Sequence, residues 1–157
     1  MNNIPPEKIF KSYDIRGVYP EELNEENVVA IVRAVYKFFQ QTANTGKSLK
    51  IVIGRDMRIS SPSLFEAITK TLVDIGAEVI DVGLVSTPTF YFAVLNYDYD
   101  CGIQISASHN PKDYNGLKIV RRIEKGILKI GKPTGMEDIK KMDSFLATAG
   151  NLNKGAF

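Results

Sequence analysis

Three short runs rich in β-branched residues, LKIVIG (49–54), AEVIDVG (77–83) and CGIQISA (101–107), are separated by stretches of helical periodicity. Strands that alternate with helices in this way form βαβ units, with right-handed crossovers and a sheet covered by helices on both faces. The pattern predicts a three-layer α/β/α domain with a mixed, largely parallel sheet. The intervening helices can be read from their signals. In LNEENVVAIVRAVYKFF, Asn24 is placed as an N-cap, Leu23 and Val28 have staple spacing, and apolar residues recur at 28, 31, 32, 35 and 39. Ser61-Pro62 reads as the N-cap and first residue of a second helix, which carries Leu64, Phe65, Ile68, Leu72 and Ile75 and stops at Gly76. Thr87-Pro88 opens a short third helix that runs to about Leu95. The AEVIDVG run reads as a buried strand, LKIV and ILKI as a hairpin around Glu124-Lys125-Gly126, and MEDIKKMDSFLATAG as a closing helix.

Composition narrows the function classes. The 157 residues balance 20 Lys and Arg against 18 Asp and Glu, and a net charge of +2 gives no reason to expect a polyanionic partner. The single cysteine, Cys101, excludes an internal disulfide and a thiolate metal cluster, which suits a cytoplasmic location. No apolar run approaches the roughly 20 residues that a membrane span requires, and the polar start MNNIPPEKIF lacks a signal core. The basic residues Lys118, Arg121, Arg122, Lys125, Lys129 and Lys132 alternate with apolar ones along the expected hairpin, the pattern of a ribbon solvated on one face. No stacking aromatics interleave with them, so nucleic-acid binding is not expected.

In sheets of this type the chemistry collects beyond the carboxyl ends of the strands. Three polar segments are expected there: SYDIRG (12–17) after a first short extended stretch, GRDMR (54–58), and SASHNP (106–111). Each combines glycine or proline with hydroxyls, cations and turn-forming carboxylates or amides, which suits an anion. The only histidine, His109, sits directly beside Ser108. Consecutive residues of an extended segment point to opposite sides, and no G-x-S-x-G elbow surrounds Ser108, so a hydrolytic Ser-His pair is disfavoured. A polar turn is the plainer alternative. Against it stands the context: Pro111 and Gly116 shape a tight loop, Asn110 and Asn115 can satisfy its backbone, and Lys118 returns on the next strand. A hydroxyl, amide donors and a lysine are thereby brought around one phosphate. Arg55, Asp56 and Arg58 read equally well as an ion-pair network or as a ligand site.

SASHNPKDYNGLKIV, with IFKSYDIRGVYPEEL upstream and IGRDMRISSP between them, resembles the N-terminal domain of the α-D-phosphohexomutases over about residues 8–120. YDIRG is closest to the phosphomannomutase/phosphoglucomutase branch, whereas phosphoglucosamine mutases carry a form nearer GTDGIRG. The resemblance implies that Ser108 is carried as phosphoserine, with Ser106 in place of the usual threonine. Ser108 would then donate its phosphoryl group to a hexose phosphate and recover the other phosphate of a bound hexose 1,6-bisphosphate. It further implies Lys118 as general acid/base, Tyr13 and Arg16 facing the site, Asp14 bracing that turn, and His109 and Asn110 supporting the loop and the transferring phosphate. A Mg²⁺ ion would bind through the phosphate oxygen on Ser108.

The chain also departs from the family pattern. Family enzymes have four domains, and residues 1–150 correspond to the first alone, with 151–157 reading as the start of an interdomain linker. The metal loop, the sugar-selecting loop and the distal phosphate loop have no counterpart. Asp98-Tyr99-Asp100 lacks the third acid and the arginine of the metal loop and precedes a strand, so it reads as a turn. The expectation is an isolated domain without activity, able to self-associate through faces that further domains would cover. A sugar-phosphate-binding module that has lost the chemistry is the alternative.

Overall fold

The computed structural model describes residues 5–43 and 46–142. A 3₁₀ turn (Glu7–Ile9) leads into β1 (Ile15–Val18) and α1 (Glu25–Ala43). Then come β2 (Lys50–Arg55), α2 (Ser61–Asp74), β3 (Glu78–Leu84) and α3 (Thr87–Asn96). The chain continues through β4 (Cys101–Ile105), β5 (Tyr114–Ile123) and β6 (Gly126–Lys129) to a second 3₁₀ turn (Lys132–Thr134). The sheet order is β1-β5-β4-β2-β3, and β6 pairs with β5. β2 lies parallel to β3 and β4, whereas β5 is antiparallel to β1, β4 and β6, so β5 alone runs against the others. The mixed, largely parallel three-layer domain read from the sequence is therefore present.

The local signals account for the helices. Asn24 Oδ1 accepts from the amides of Glu26 and Asn27 at 3.1 and 3.0 Å, capping α1 as expected. Ser86 Oγ accepts from Thr89 N and caps α3. At α2 the cap moves back one residue. Ser60 occupies that position without a side-chain capping bond, its Oγ accepting from Asn115 Nδ2 at 2.8 Å, and Ser61 Oγ is committed to Asp56 Oδ1 at 2.7 Å. Gly76, at φ +94°, ends the α2 segment as expected.

Two apolar clusters meet through the sheet. Ile51, Ile53, Ile103, Ile105, Leu117 and Ile119 join α1 and α2 on one face. Val52 and Val120 face the other side, against Phe90, Ala93 and Val94 of α3. Strand alternation thus divides adjacent residues between two cores, each fully buried aliphatic contributing about 1.5–3 kcal/mol. Gly102 is what lets α3 settle, since a Cβ there would lie 2.7 Å from the Phe90 ring.

Two expectations are corrected. AEVIDVG is an edge strand with no fully buried residue in its core positions, because β3 has β2 as its one neighbour. β5 is not a ribbon solvated on one face: it sits inside the sheet, with Ile119 and Val120 buried on opposite sides. The β5–β6 hairpin itself is as expected, closing with Ile123 opposite Gly126. The closing helix is present from 136 to 142; its expected continuation and the 151–157 segment lie outside the described residues.

Candidate functional site

The ends of β2 and β4 and the start of β1 converge at one end of the sheet. Leu117 of β5 pairs with Ile105 on one side and Ile15 on the other, so β1 begins level with the place where β4 stops. The SYDIRG segment is thus the entry to β1 instead of a loop following a strand, and Phe10 forms an isolated bridge with Ile15 just before it. Gly116 permits this closure. A Cβ on it would lie 2.4 Å from the Ile15 carbonyl oxygen and 2.9 Å from that of Ser106.

Ser108 is exposed at the turn after β4, and its φ of +54° is a left-handed conformation uncommon outside glycine. Its amide donates to Ser106 Oγ at 3.0 Å. His109 is exposed as well, and Asn110 is half-buried. Arg16 connects this loop to β1: its Nη1 donates to Asn110 Oδ1 at 2.6 Å and its Nε to Asp14 Oδ2 at 2.7 Å. The same Asp14 oxygen accepts from Lys118 Nζ at 3.4 Å. Asp14, Arg16, Asn110 and Lys118 are thus brought into one polar chain, with the Asp14 carboxylate almost wholly buried. Burial holds the Tyr91 phenol above its usual range, and the charge of Asp14 adds to that shift. Tyr13 stands 75% exposed at the rim.

Depressions flank the serine loop on both sides. One, of about 590 Å³, lies between Ser108 and the Ser86-Thr87 turn, over Gln104. The other, of about 540 Å³, contains Tyr13, Asp14 and Arg16, and Asn110 borders both. In the floor of the first, Gln104 Nε2 donates to the Val85 carbonyl while its buried Oε1 has no partner.

The GRDMR segment resolves residue by residue. Arg55 pairs with Asp81 at 3.2 Å and lies over the Phe65 ring. Asp56 accepts from Arg58 N, Arg58 Nε and Ser61 Oγ. Arg58 turns its guanidinium onto the serine loop, donating to the carbonyls of Ser108, Asn110, Pro111 and Tyr114. The loop carbonyls are therefore satisfied by Arg58; of the two amides expected to serve the loop backbone, Asn115 does so, its Oδ1 accepting from Gly116 N at 2.9 Å, whereas Asn110 Oδ1 goes to Arg16. Asn115 Nδ2 also donates to the hydroxyls of Ser60 and Ser61, tying the end of the loop to α2.

Asp98 and Asp100 form the expected turn. Asp98 has φ +56° and meets Arg122, and Asp100 accepts from Lys50 N. Among the described residues there is no group of three or more His, Cys, Asp or Glu side chains placed to hold a metal ion. One Ser108 oxygen cannot fill the octahedral shell of Mg²⁺, so the donor set here does not fit a complete site. Two of the basic residues of β5 and β6 are engaged locally: Arg122 Nε binds the Tyr99 carbonyl, and Lys129 lies over Tyr91. No helix among the described residues is long and apolar enough to cross a membrane.

This geometry agrees with the comparisons. Residues 7–139 match the family model described as phosphoglucomutase/phosphomannomutase, alpha/beta/alpha domain I. A phosphomannomutase of Klebsiella pneumoniae is 44% identical over 133 residues, which cover 85% of this chain and 78% of that protein. One of Escherichia coli is also 44% identical over 85% of this chain, but there the match spans 27% of the relative. A solved phosphoglucomutase/phosphomannomutase family protein from Burkholderia thailandensis superposes with a TM-score of 0.73 at 32% identity, covering 90% of this chain and 31% of that one. With the fold, the ordered segments and these matches in agreement, the chain belongs to the phosphoglucomutase/phosphomannomutase family, as its alpha/beta/alpha domain I.

Proposed function

We propose that this chain is the serine-bearing domain of a phosphohexomutase that interconverts hexose 1-phosphates and hexose 6-phosphates. The observation that carries the reading is Ser108, exposed and left-handed beyond β4, beside the Asp14–Arg16–Asn110–Lys118 chain. In the forward half-reaction the P–Oγ bond of phosphorylated Ser108 breaks and a P–O bond forms to the free hydroxyl of the bound hexose phosphate. The proton of that hydroxyl passes to the neutral amine form of Lys118 as general base, and in the second half-reaction the resulting ammonium returns it to the sugar oxygen that loses its phosphoryl group. The hexose 1,6-bisphosphate then turns over in the site and returns its other phosphoryl group to Ser108. Arg16 supplies forked donors for phosphate. Tyr13, His109 and Asn110 border the transferring group.

Family enzymes draw on Mg²⁺ for charge neutralisation, which would enter through the phosphate oxygen on Ser108, but the donor set among the described residues does not complete a site. For the same reason the 157-residue chain by itself does not turn over substrate. Further domains of a longer enzyme supply the missing ligands and cover exposed Met57 and Ile59, through which the isolated chain self-associates. The lone, buried Cys101 suits a cytoplasmic protein.

The test incubates the chain and its Ser108→Ala variant with Mg²⁺ and glucose 1,6-bisphosphate, alone and with the remaining domains of a family enzyme. Phosphorylation is mapped by mass spectrometry, and glucose 6-phosphate formation is followed by a coupled assay. Label on Ser108 with the added domains, absent in the variant, is the expected result. Label on another residue, or none under either condition, would favour a binding module and overturn the proposal.

A further inference from the structure

We propose that Arg58 is the positioning residue of the Ser108 loop, a role that rests on reading Ser108 as the phosphoryl carrier. A guanidinium has five N–H donors. Here all are consumed within the protein: Nε on Asp56, Nη1 on the carbonyls of Pro111 and Tyr114, and Nη2 on those of Ser108 and Asn110. The distances run from 2.6 to 3.2 Å, and the side chain is 11% exposed. No donor remains for an external phosphate, which separates Arg58 from Arg16. Its work is on the loop.

That work has a direction. In a planar trans peptide the carbonyl and the following N–H point opposite ways. With the carbonyls of Ser108 and Pro111 turned onto Arg58, the amides of His109 and Lys112 face away from it. Ser108 is held at φ +54°, a conformation that a residue with a side chain keeps only when its surroundings enforce it. The enforcement passes back through Asp56, which takes the Ser61 hydroxyl at the start of α2 and whose amide donates to the Ile105 carbonyl. The serine loop is thereby referenced to α2 and β4, not to its own short sequence. Lysine cannot substitute, since an ammonium has three donors and no planar fork.

The experiment is amide hydrogen exchange on the 157-residue chain, on Arg58→Lys and on Arg58→Ala. Ser108, Asn110 and Tyr114 report on the loop, because their amides donate to Ser106 Oγ, Ala107 O and Pro111 O. We expect these amides to exchange about tenfold faster or more in both variants, while amides in β2, β4 and α1 stay within about twofold. Guanidinium at a non-denaturing concentration should restore protection in the alanine variant, and equimolar sodium chloride should not. Unchanged loop amides, or equal acceleration through the core in the lysine variant, would overturn the assignment. Phosphoryl transfer to Ser108 is scored separately in the same proteins. A wild-type protein that takes no label when the remaining domains of a family enzyme are added sinks the carrier reading without altering the exchange result.

Discussion

Replacing Gly116 with alanine tests how the candidate site is closed. Its Cβ would sit 2.4 Å from the Ile15 carbonyl oxygen and 2.9 Å from that of Ser106, and both obstacles are main chain. Ordinary contact requires about 1 Å more, and no side-chain rotation can provide it. β1 must therefore move off β5, straining the Arg16–Gly116 pairing and the Ser106 N to Gly116 O bond of 2.9 Å. Overpacking of this kind costs about 1–3 kcal/mol, and weakening one backbone hydrogen bond adds roughly 1. The expected loss is about 3 kcal/mol, or about 6–12 °C in melting temperature for a chain of this size. Urea denaturation and calorimetry measure it. The displacement also separates Asp14 and Arg16 from Lys118 and Asn110, so NMR shifts around those residues should move most. A melting temperature within about 2 °C of wild type would refute the argument that backbone contact makes glycine obligatory here.

Two further outcomes follow from the electrostatics. Asp14→Ala leaves Arg16 and Lys118 without their shared carboxylate and should cost about 1–3 kcal/mol in urea denaturation, given that both partners retain some solvent. Asp74→Ala, which removes the exposed Lys70 pair, should cost under about 0.5 kcal/mol, and equal losses would contradict the burial argument. Burial first, and the Asp100 charge second, push the Cys101 thiol well above its ordinary range. The unfolded thiol ionises near pH 8.5 while the folded one stays protonated. Its contribution is therefore intact below that pH and declines above it by up to about 1.4 kcal/mol per pH unit. Cys101→Ala should flatten the stability profile between about pH 8.5 and 9.5, and an unchanged slope would count against it.

The elements were legible where physics is local. A β-branched run such as KIVIG has few alternatives to a strand, and Asn24 caps its helix through a bond that spans three residues. The polar segments that meet beyond the strands were legible too, since Ser108, Asn110, Arg16 and Lys118 stand in runs of hydroxyl, amide and cationic residue types. Partnerships across the chain were not. Arg58 reaches carbonyls 50 to 56 residues away, Lys118 reaches Asp14 across 104, and backbone acceptors carry no sequence signature. Strand position was equally hidden. AEVIDVG and LKIVRRI have similar apolar content, yet one lies at an edge and the other inside the sheet, because pairing order follows from which elements pack together. By itself the sequence determined the α/β alternation and the residue types beyond the strands. Tertiary structure decided which cation faces the site and which is consumed in holding it. Arg16 and Arg58 are chemically identical, and only the acceptors that folding places around each guanidinium assign them different work.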